Sequence, residues 1–293
     1  MRAYNAIMLE AGPWQIESVV TGHFRLDGGA MFGVVPKVLW QNVAAPDELN
    51  RIALATRTLL AIHRPAGRIA LVDTGLGTKW KTEAAARFAI EPIADALPQA
   101  LARHGATPED VTDVVVTHLH FDHAGGMTRW LAAPDGPTAL CFPNAQHWVQ
   151  AAHWAHAHAP TVRDRASFLA ADYAALEQSP RLRLVDAPRD ALPGVEWFVA
   201  NGHTPAQLLP IFGGGDGPGV VFAGDVVPTA AHLPVAWVMA YDLLPLASVA
   251  ERENIYARCR TQDLRLAFPH DPHCGAVRLD LSTGRPEIAE RFP

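Results

Sequence analysis

The stretch Thr117-His118-Leu119-His120-Phe121-Asp122-His123-Ala124-Gly125-Gly126 gathers three imidazoles and a carboxylate at one place in the chain. These side chains are ligands for divalent metals such as zinc. A lone histidine is usually packed or hydrogen-bonded without further function. Four such groups at one strand end, buried without an ion, would leave several polar atoms in need of partners. The spacing therefore points to a metal site. The run before it, Val111-Thr112-Asp113-Val114-Val115-Val116, is β-branched and reads as a buried strand. Continued as extended chain, it projects His118, His120 and Asp122 to one side, with His123 pointing elsewhere. Ala124-Gly125-Gly126 then lets the backbone turn tightly toward a helix.

Other strand-like runs end in similar residues. Leu71-Val72-Asp73-Thr74-Gly75 places Asp73 where it can accept a hydrogen bond from a ligand imidazole and fix its tautomer. A strand over 195–200 leads to Asn201-Gly202-His203-Thr204-Pro205, the strand at 220–223 to Gly224-Asp225, and Leu264–Phe268 to Pro269-His270-Asp271. Strands of one sheet present their ends on a common rim, so residues remote in sequence can converge there. Further strands are expected at 14–24, 56–63, 68–73, 182–186 and 208–212, with a glycine-rich hairpin turn over 213–219. Helices are expected at 90–104, 128–133, 144–158 and 246–260, and a hairpin or irregular end over 276–293. The helix at 144–158 carries His147, His153, His156 and His158, read as surface or packing residues with no carboxylate partner.

Among 293 residues, 49% are hydrophobic and 18% charged, enough for a large core and too apolar for disorder. With a net charge of −6 and no block of Lys or Arg, nucleic acid is not an expected partner. Cys141, Cys259 and Cys274 form no disulfide framework and suit a reducing compartment. No stretch has the length of a membrane span, and the N-terminal residues lack the apolar region of a signal peptide. These features predict a single cytoplasmic domain over 1–293 that does not engage a membrane; they do not fix the oligomeric state, and an exposed apolar N-terminal segment is compatible with a homodimer.

The HxHxDH run, followed by Gly-His-Thr-Pro, a Gly-Asp after a strand and a final Pro-His-Asp, resembles the metallo-β-lactamase superfamily from about residue 56 to 273. The resemblance implies an α/β fold, a four-layer αβ/βα sandwich of two mixed β-sheets flanked by helices. It also implies two divalent metal ions, zinc foremost, with manganese, iron or cobalt also accommodated. His118, His120 and His203 would hold one, Asp122, His123 and His270 the other, and Asp225 would bridge them. His273 competes with His270 for the last position. A hydroxide between the two ions would be the nucleophile, with Asp122 and Asp225 as the catalytic carboxylates.

Within the family, Asp225 and the cysteine positions argue against a β-lactamase, His120 against a flavin-linked iron enzyme, and the charge balance against RNA processing. What remains is a hydrolase of a small hydrophobic ester, lactone, thioester or phosphotriester. Met31, Phe32, Phe121, His232, Trp237 and Tyr241 are the candidate substrate-binding residues. The segment 26–36 is either a flap over the pocket or a hairpin on the core. Similar lactonases place a tyrosine shortly after the bridging aspartate. Here Val226-Val227-Pro228-Thr229 follows, leaving Tyr241 as the substitute. The alternative reaction is that of a mononuclear iron dioxygenase acting on a thiol or persulfide.

Overall fold

Leu59 and Ala61 leave the strand Arg51–His63 on one face, and Leu60 and Ile62 leave it on the other; all four are buried. The same alternation runs through Arg68–Val72 and Gly219–Phe222, so each is a strand buried on both faces. A sheet buried on both sides needs a layer above and a layer below. The computed structural model, which describes residues 8–186, 191–214 and 217–293, supplies both. Residues 1–7 at the N-terminus, and Gly215 and Asp216 of the predicted hairpin turn, lie outside the described residues.

The first sheet orders Leu9–Ala11, Trp14–Asp27, Arg51–His63, Arg68–Val72, Asp113–Val115, Gln146–Gln150 and Leu182–Val185, with Glu91–Pro92 also paired to Trp14–Asp27. It is antiparallel as far as Arg68–Val72 and parallel beyond. The second sheet runs Val195–Ala200, Gln207–Gly213, Gly219–Phe222, Leu264–Ala267, Ala276–Asp280 and Glu287–Phe292, with its only parallel pair between Gly219–Phe222 and Leu264–Ala267. Trp14, Leu59, Val72 and Val115 of the first sheet meet Leu208, Phe212, Phe222 and Ala267 of the second in a shared core. Helices Ala96–Arg103 and Ala151–His158 cover the outer face of the first sheet, and Pro245–Thr261 that of the second. This is the expected four-layer sandwich. Two mixed sheets face each other inside two helical layers.

Several elements differ from the sequence reading. Thr128–Trp130 is a strand paired with Thr138–Leu140, not a helix over 128–133. Of the helix expected over 144–158, Gln146–Gln150 is a strand between Asp113–Val115 and Leu182–Val185. The helix starts only at Ala151, where the Gln150 side chain caps it by accepting from His153 N–H at 3.1 Å. Thr82–Phe88 is a helix that was not expected. The 26–36 segment is no hairpin: Asp27 caps a one-turn helix, Gly28–Phe32, by accepting from Ala30 N–H at 2.8 Å. Met31 and Phe32 are buried from it, next to Trp40 of Lys37–Trp40. No helix among the described residues is long and apolar enough to cross a membrane.

One ion pair fixes the turn after the histidine-rich stretch. Lys79 Nζ sits 3.0 Å from Asp172 Oδ1 and 2.8 Å from Thr128 C=O, and also reaches Gly125 C=O, with both charged side chains at most 4% exposed. Burial pushes the Asp172 carboxyl up to about 6 despite the lysine. Removing only the lysine leaves a buried charge without its partner. Lys79→Met is therefore expected to lose about 3 kcal/mol of stability at pH 7, measured by urea unfolding. A carboxyl whose folded pKa is raised takes up a proton on folding, so this loss should shrink as the pH falls from 7 toward 5. The double variant Lys79→Met/Asp172→Leu should recover most of it.

Candidate metal centre

The strand Asp113–Val115 ends before Val116, the chain bends at Thr117 and again at His120, and a helical turn, Phe121–Ala124, follows directly. His120 is the residue before that turn, and its C=O accepts from His123 N–H at 3.0 Å and Ala124 N–H at 2.9 Å. Asp122 and His123 thus leave a helix, not the continued strand expected from alternation, and the turn swings both back toward the rim. At the next turn the backbones nearly touch. A Cβ on Gly126 would stand 2.2 Å from Thr74 C=O, so glycine is required there by space.

The structure brings His118, His120, Asp122, His123, His203, Asp225 and His270 together, all buried. His118, His120 and His203 converge as one group, Asp122, His123 and His270 as another, and His118, His123 and Asp225 as a third between them. The Asp225 carboxylate divides itself across the two. Its Oδ2 lies 3.3 Å from His203 Nε2 and 4.0 Å from His118 Nε2; its Oδ1 lies 3.0 Å from His270 Nε2 and 3.3 Å from His123 Nε2. Asp122 Oδ2 completes the second group, 3.5 Å from His270 Nε2.

The outer nitrogens of these rings are committed. His123 Nδ1–H donates to Asp73 Oδ2 at 2.7 Å, His203 Nδ1–H to Asp242 Oδ1 at 3.0 Å, and His270 Nδ1–H to Ala55 C=O at 3.0 Å. Their Nε2 lone pairs therefore face inward. There His123 Nε2 meets His270 Nε2 at 3.0 Å, and His203 Nε2 meets His120 Nδ1 at 3.1 Å. Lone pairs aimed at one another repel unless a cation stands between them. His118 Nε2 and Asp225 Oδ1 are also buried without a hydrogen-bond partner. A tetrahedral ion with bonds of about 2.0–2.1 Å spaces its ligands about 3.3 Å apart, within the range seen here. The donor set fits divalent cations.

The electrostatics lean the same way. Burial and the neighbouring imidazoles hold His118 and His120 well below the usual histidine range, so both stay neutral. Burial also opposes charge on His123, but Asp225, Asp73 and Asp122 overcome it and raise its proton affinity well above normal. His203 is raised in the same way by Asp225 and Asp242. Against its own burial, Asp225 is held well below the carboxylate range by His270, His123 and His203. The cluster concentrates negative charge around lone pairs. It attracts positive charge.

Asp73 does more than the sequence suggested. It adopts a left-handed backbone, φ 59°, and its Oδ1 accepts from Thr117 N–H at 2.7 Å. Its Oδ2 accepts from Thr117 Oγ1–H at 2.9 Å, and that hydroxyl oxygen lies 3.0 Å from His118 Nδ1. Asp242 was not singled out from the sequence, and His153 was read only as a surface or packing residue. His156 and His158, read as lacking acidic partners, do have them: Asp164 at 2.6 Å and Glu177 at 2.7 Å. His273 is exposed and lies apart from the cluster.

A cavity of about 470 Å³ opens onto the cluster, and Met31, Phe121 and Tyr241 line it with Leu26, Phe88 and Met239. Phe32, His232 and Trp237 do not line it. They stand behind the wall, where Phe32 stacks on His232 at 4.5 Å and meets Trp237 edge-on at 5.8 Å. His232 is fully buried, its ring nitrogens bonded to Met31 C=O at 2.9 Å and Thr229 Oγ1 at 2.7 Å. Arg252 fastens the loop after Asp225, donating to Val226 C=O at 2.7 Å, His232 C=O at 2.9 Å and Trp237 C=O at 2.7 Å.

A search of curated proteins finds no match. Among solved structures, a probable metal-dependent hydrolase from Staphylococcus aureus is 30% identical, with 97% of this chain and 98% of that one covered at a TM-score of 0.85. The hydrolase AbOPH of the β-lactamase superfamily (20% identity, coverage 100% and 98%, TM-score 0.76) has the same fold. So does AidC, a dizinc quorum-quenching lactonase solved with a product (17%, 97% and 97%, 0.75). The profile of the metallo-beta-lactamase superfamily matches residues 58–273, which include every member of the cluster described above, and the chain belongs to that superfamily.

Proposed function

We propose that the protein is a dinuclear metal-dependent hydrolase of a small, hydrophobic ester, lactone, thioester or phosphotriester. The observation that carries this reading is the division of Asp225, one oxygen toward each histidine group. His118, His120 and His203 would hold one cation, Asp122, His123 and His270 the other, with Asp225 shared. Two divalent ions, zinc foremost, would supply Lewis acidity there, making water nucleophilic near neutral pH and polarising the oxygen of the bond to be cleaved.

The chain's own residues do the rest. Phe121, packed edge-on to Trp80 at 5.3 Å, forms an apolar wall with Phe88 and Met31 that keeps bulk water from the substrate. Asp122 faces the cavity and takes the proton released by attacking water. Tyr241, at the same cavity, is pushed up to about 12 by burial and by Asp27 and Asp122, so its phenol keeps its proton at any working pH. It is placed to donate to the substrate oxygen as charge builds there.

Elemental analysis of the purified protein should find two divalent ions per chain. Chelation should abolish turnover of whichever lactone, aryl ester, thioester or phosphotriester a substrate panel identifies. One iron per chain with oxygen-dependent turnover of a thiol or persulfide would overturn the hydrolase reading. Asp122→Asn, measured with zinc in excess because Asp122 also belongs to the second ligand group, is expected to lower kcat roughly a hundredfold or more. Tyr241→Phe should lower kcat about tenfold or more while KM moves little, and no alkaline limb of the rate profile should belong to this phenol below about pH 11. Equal losses in kcat/KM through KM alone would remove Tyr241 from the chemistry.

A further inference from the structure

His153 is fully buried in the first turn of Ala151–His158, and no hydrogen bond of its ring reaches a side chain. Both ring nitrogens instead bind backbone. Leu119 N–H donates to Nε2 at 2.7 Å, and Nδ1–H donates to Pro205 C=O at 2.8 Å. An amide can only donate and a carbonyl can only accept, so these two bonds fix a neutral ring with its proton on Nδ1. Leu119 stands between His118 and His120, and Pro205 stands two residues after His203. One imidazole therefore spans the two turns whose three histidines form a single group.

We propose that His153 is a positioning residue, a strap that holds the His118–His120 turn against the His203 turn and so sets the affinity of one cation position and not the other. The proposal rests on the metal-centre reading above. Leu208 N–H to Thr117 C=O, at 2.9 Å, joins the stretches leading into these turns, while His153 joins the turns themselves. The second group is anchored elsewhere. Its His123 is held by Asp73, with Thr74 N–H donating to His123 C=O at 2.7 Å, and its His270 is held by Ala55 and by Pro228, whose C=O accepts from His270 N–H at 3.0 Å. No bond of that set passes through His153. A role in packing alone would loosen both positions together. The strap loosens one.

The test is zinc uptake by the full chain, in competition with a chromophoric chelator, giving two stepwise affinities for wild type and for His153→Phe, His153→Asn and His153→Gln. Phenylalanine keeps the volume and loses both bonds. Asparagine carries an amide near the Nδ1 position and keeps the donor to Pro205, while glutamine reaches the Nε2 position and keeps the acceptor for Leu119. In His153→Phe one affinity should fall about tenfold or more and the other stay within about threefold, with the Asn and Gln variants between. The Leu119 amide should exchange faster with solvent in the Phe and Asn variants than in the Gln variant. Two affinities both unchanged, or both lowered alike, in folded His153→Phe would overturn the proposal. Should that variant fail to fold, the Asn and Gln variants decide by the same criterion. Zinc taken up by no protein in the series, wild type included, would refute the metal centre and the strap with it.

Discussion

A single carboxylate underlies the geometry of the rim. Asp73 sits at the end of a buried strand in a left-handed backbone conformation that costs about 1 kcal/mol or more for a residue with a Cβ. Three hydrogen bonds hold it there. Two go to Thr117, which precedes His118, and one to His123. One side chain thus orients a ring from each of the two histidine groups, one directly and one through a hydroxyl. The bond to His123 Nδ1 leaves Nε2 as the nitrogen that faces the cluster. An acceptor beyond the ring raises the ring's basicity toward a cation, so the same contact serves position and strength together.

The sandwich explains why the remaining members of the cluster arrive at the same place. His203 follows Val195–Ala200, Asp225 follows Gly219–Phe222 and His270 follows Leu264–Ala267, three strands of the second sheet. The 118–123 stretch follows Asp113–Val115 of the first. Because the inner faces share one apolar core, the two sheets cannot slide without exposing Trp14, Phe212 and Phe222. Each such side chain is worth about 1.5–3 kcal/mol when buried. Packing far from the rim fixes the spacing at it. Arg252 adds local stiffness, spending its donors on main-chain carbonyls of the loop behind Asp225.

The ligand-like residues were legible because each closes a short β-branched or aromatic run, and such runs end on a rim. Asp73 was legible for the same reason. Asp242 was not, since it lies in a loop with no periodic pattern and its partner His203 is remote in sequence. His153 looked like any histidine on a short helix. Its importance comes from the backbone groups opposite, which residue type does not encode. The strand Gln146–Gln150 was hidden because only five residues precede a helix that shares its composition. Aromatic residues near the site were the least readable. Phe32 stacks on His232 in the core and Trp237 packs edge-on against Phe32, whereas Phe88 and Met239 reach the cavity without any signal in their segments.

The cavity wall has one further consequence. Met31 and Phe88 come from segments that contribute nothing to the histidine and aspartate cluster, and Arg163, which reaches across to Ala240 C=O, comes from another. The cluster itself is locked by close backbone approach at Gly126 and by the bonds of Asp73. Selection can therefore exchange the residues that judge molecular shape while leaving the reactive apparatus intact, a division of labour that lets one scaffold diversify its diet over evolutionary time.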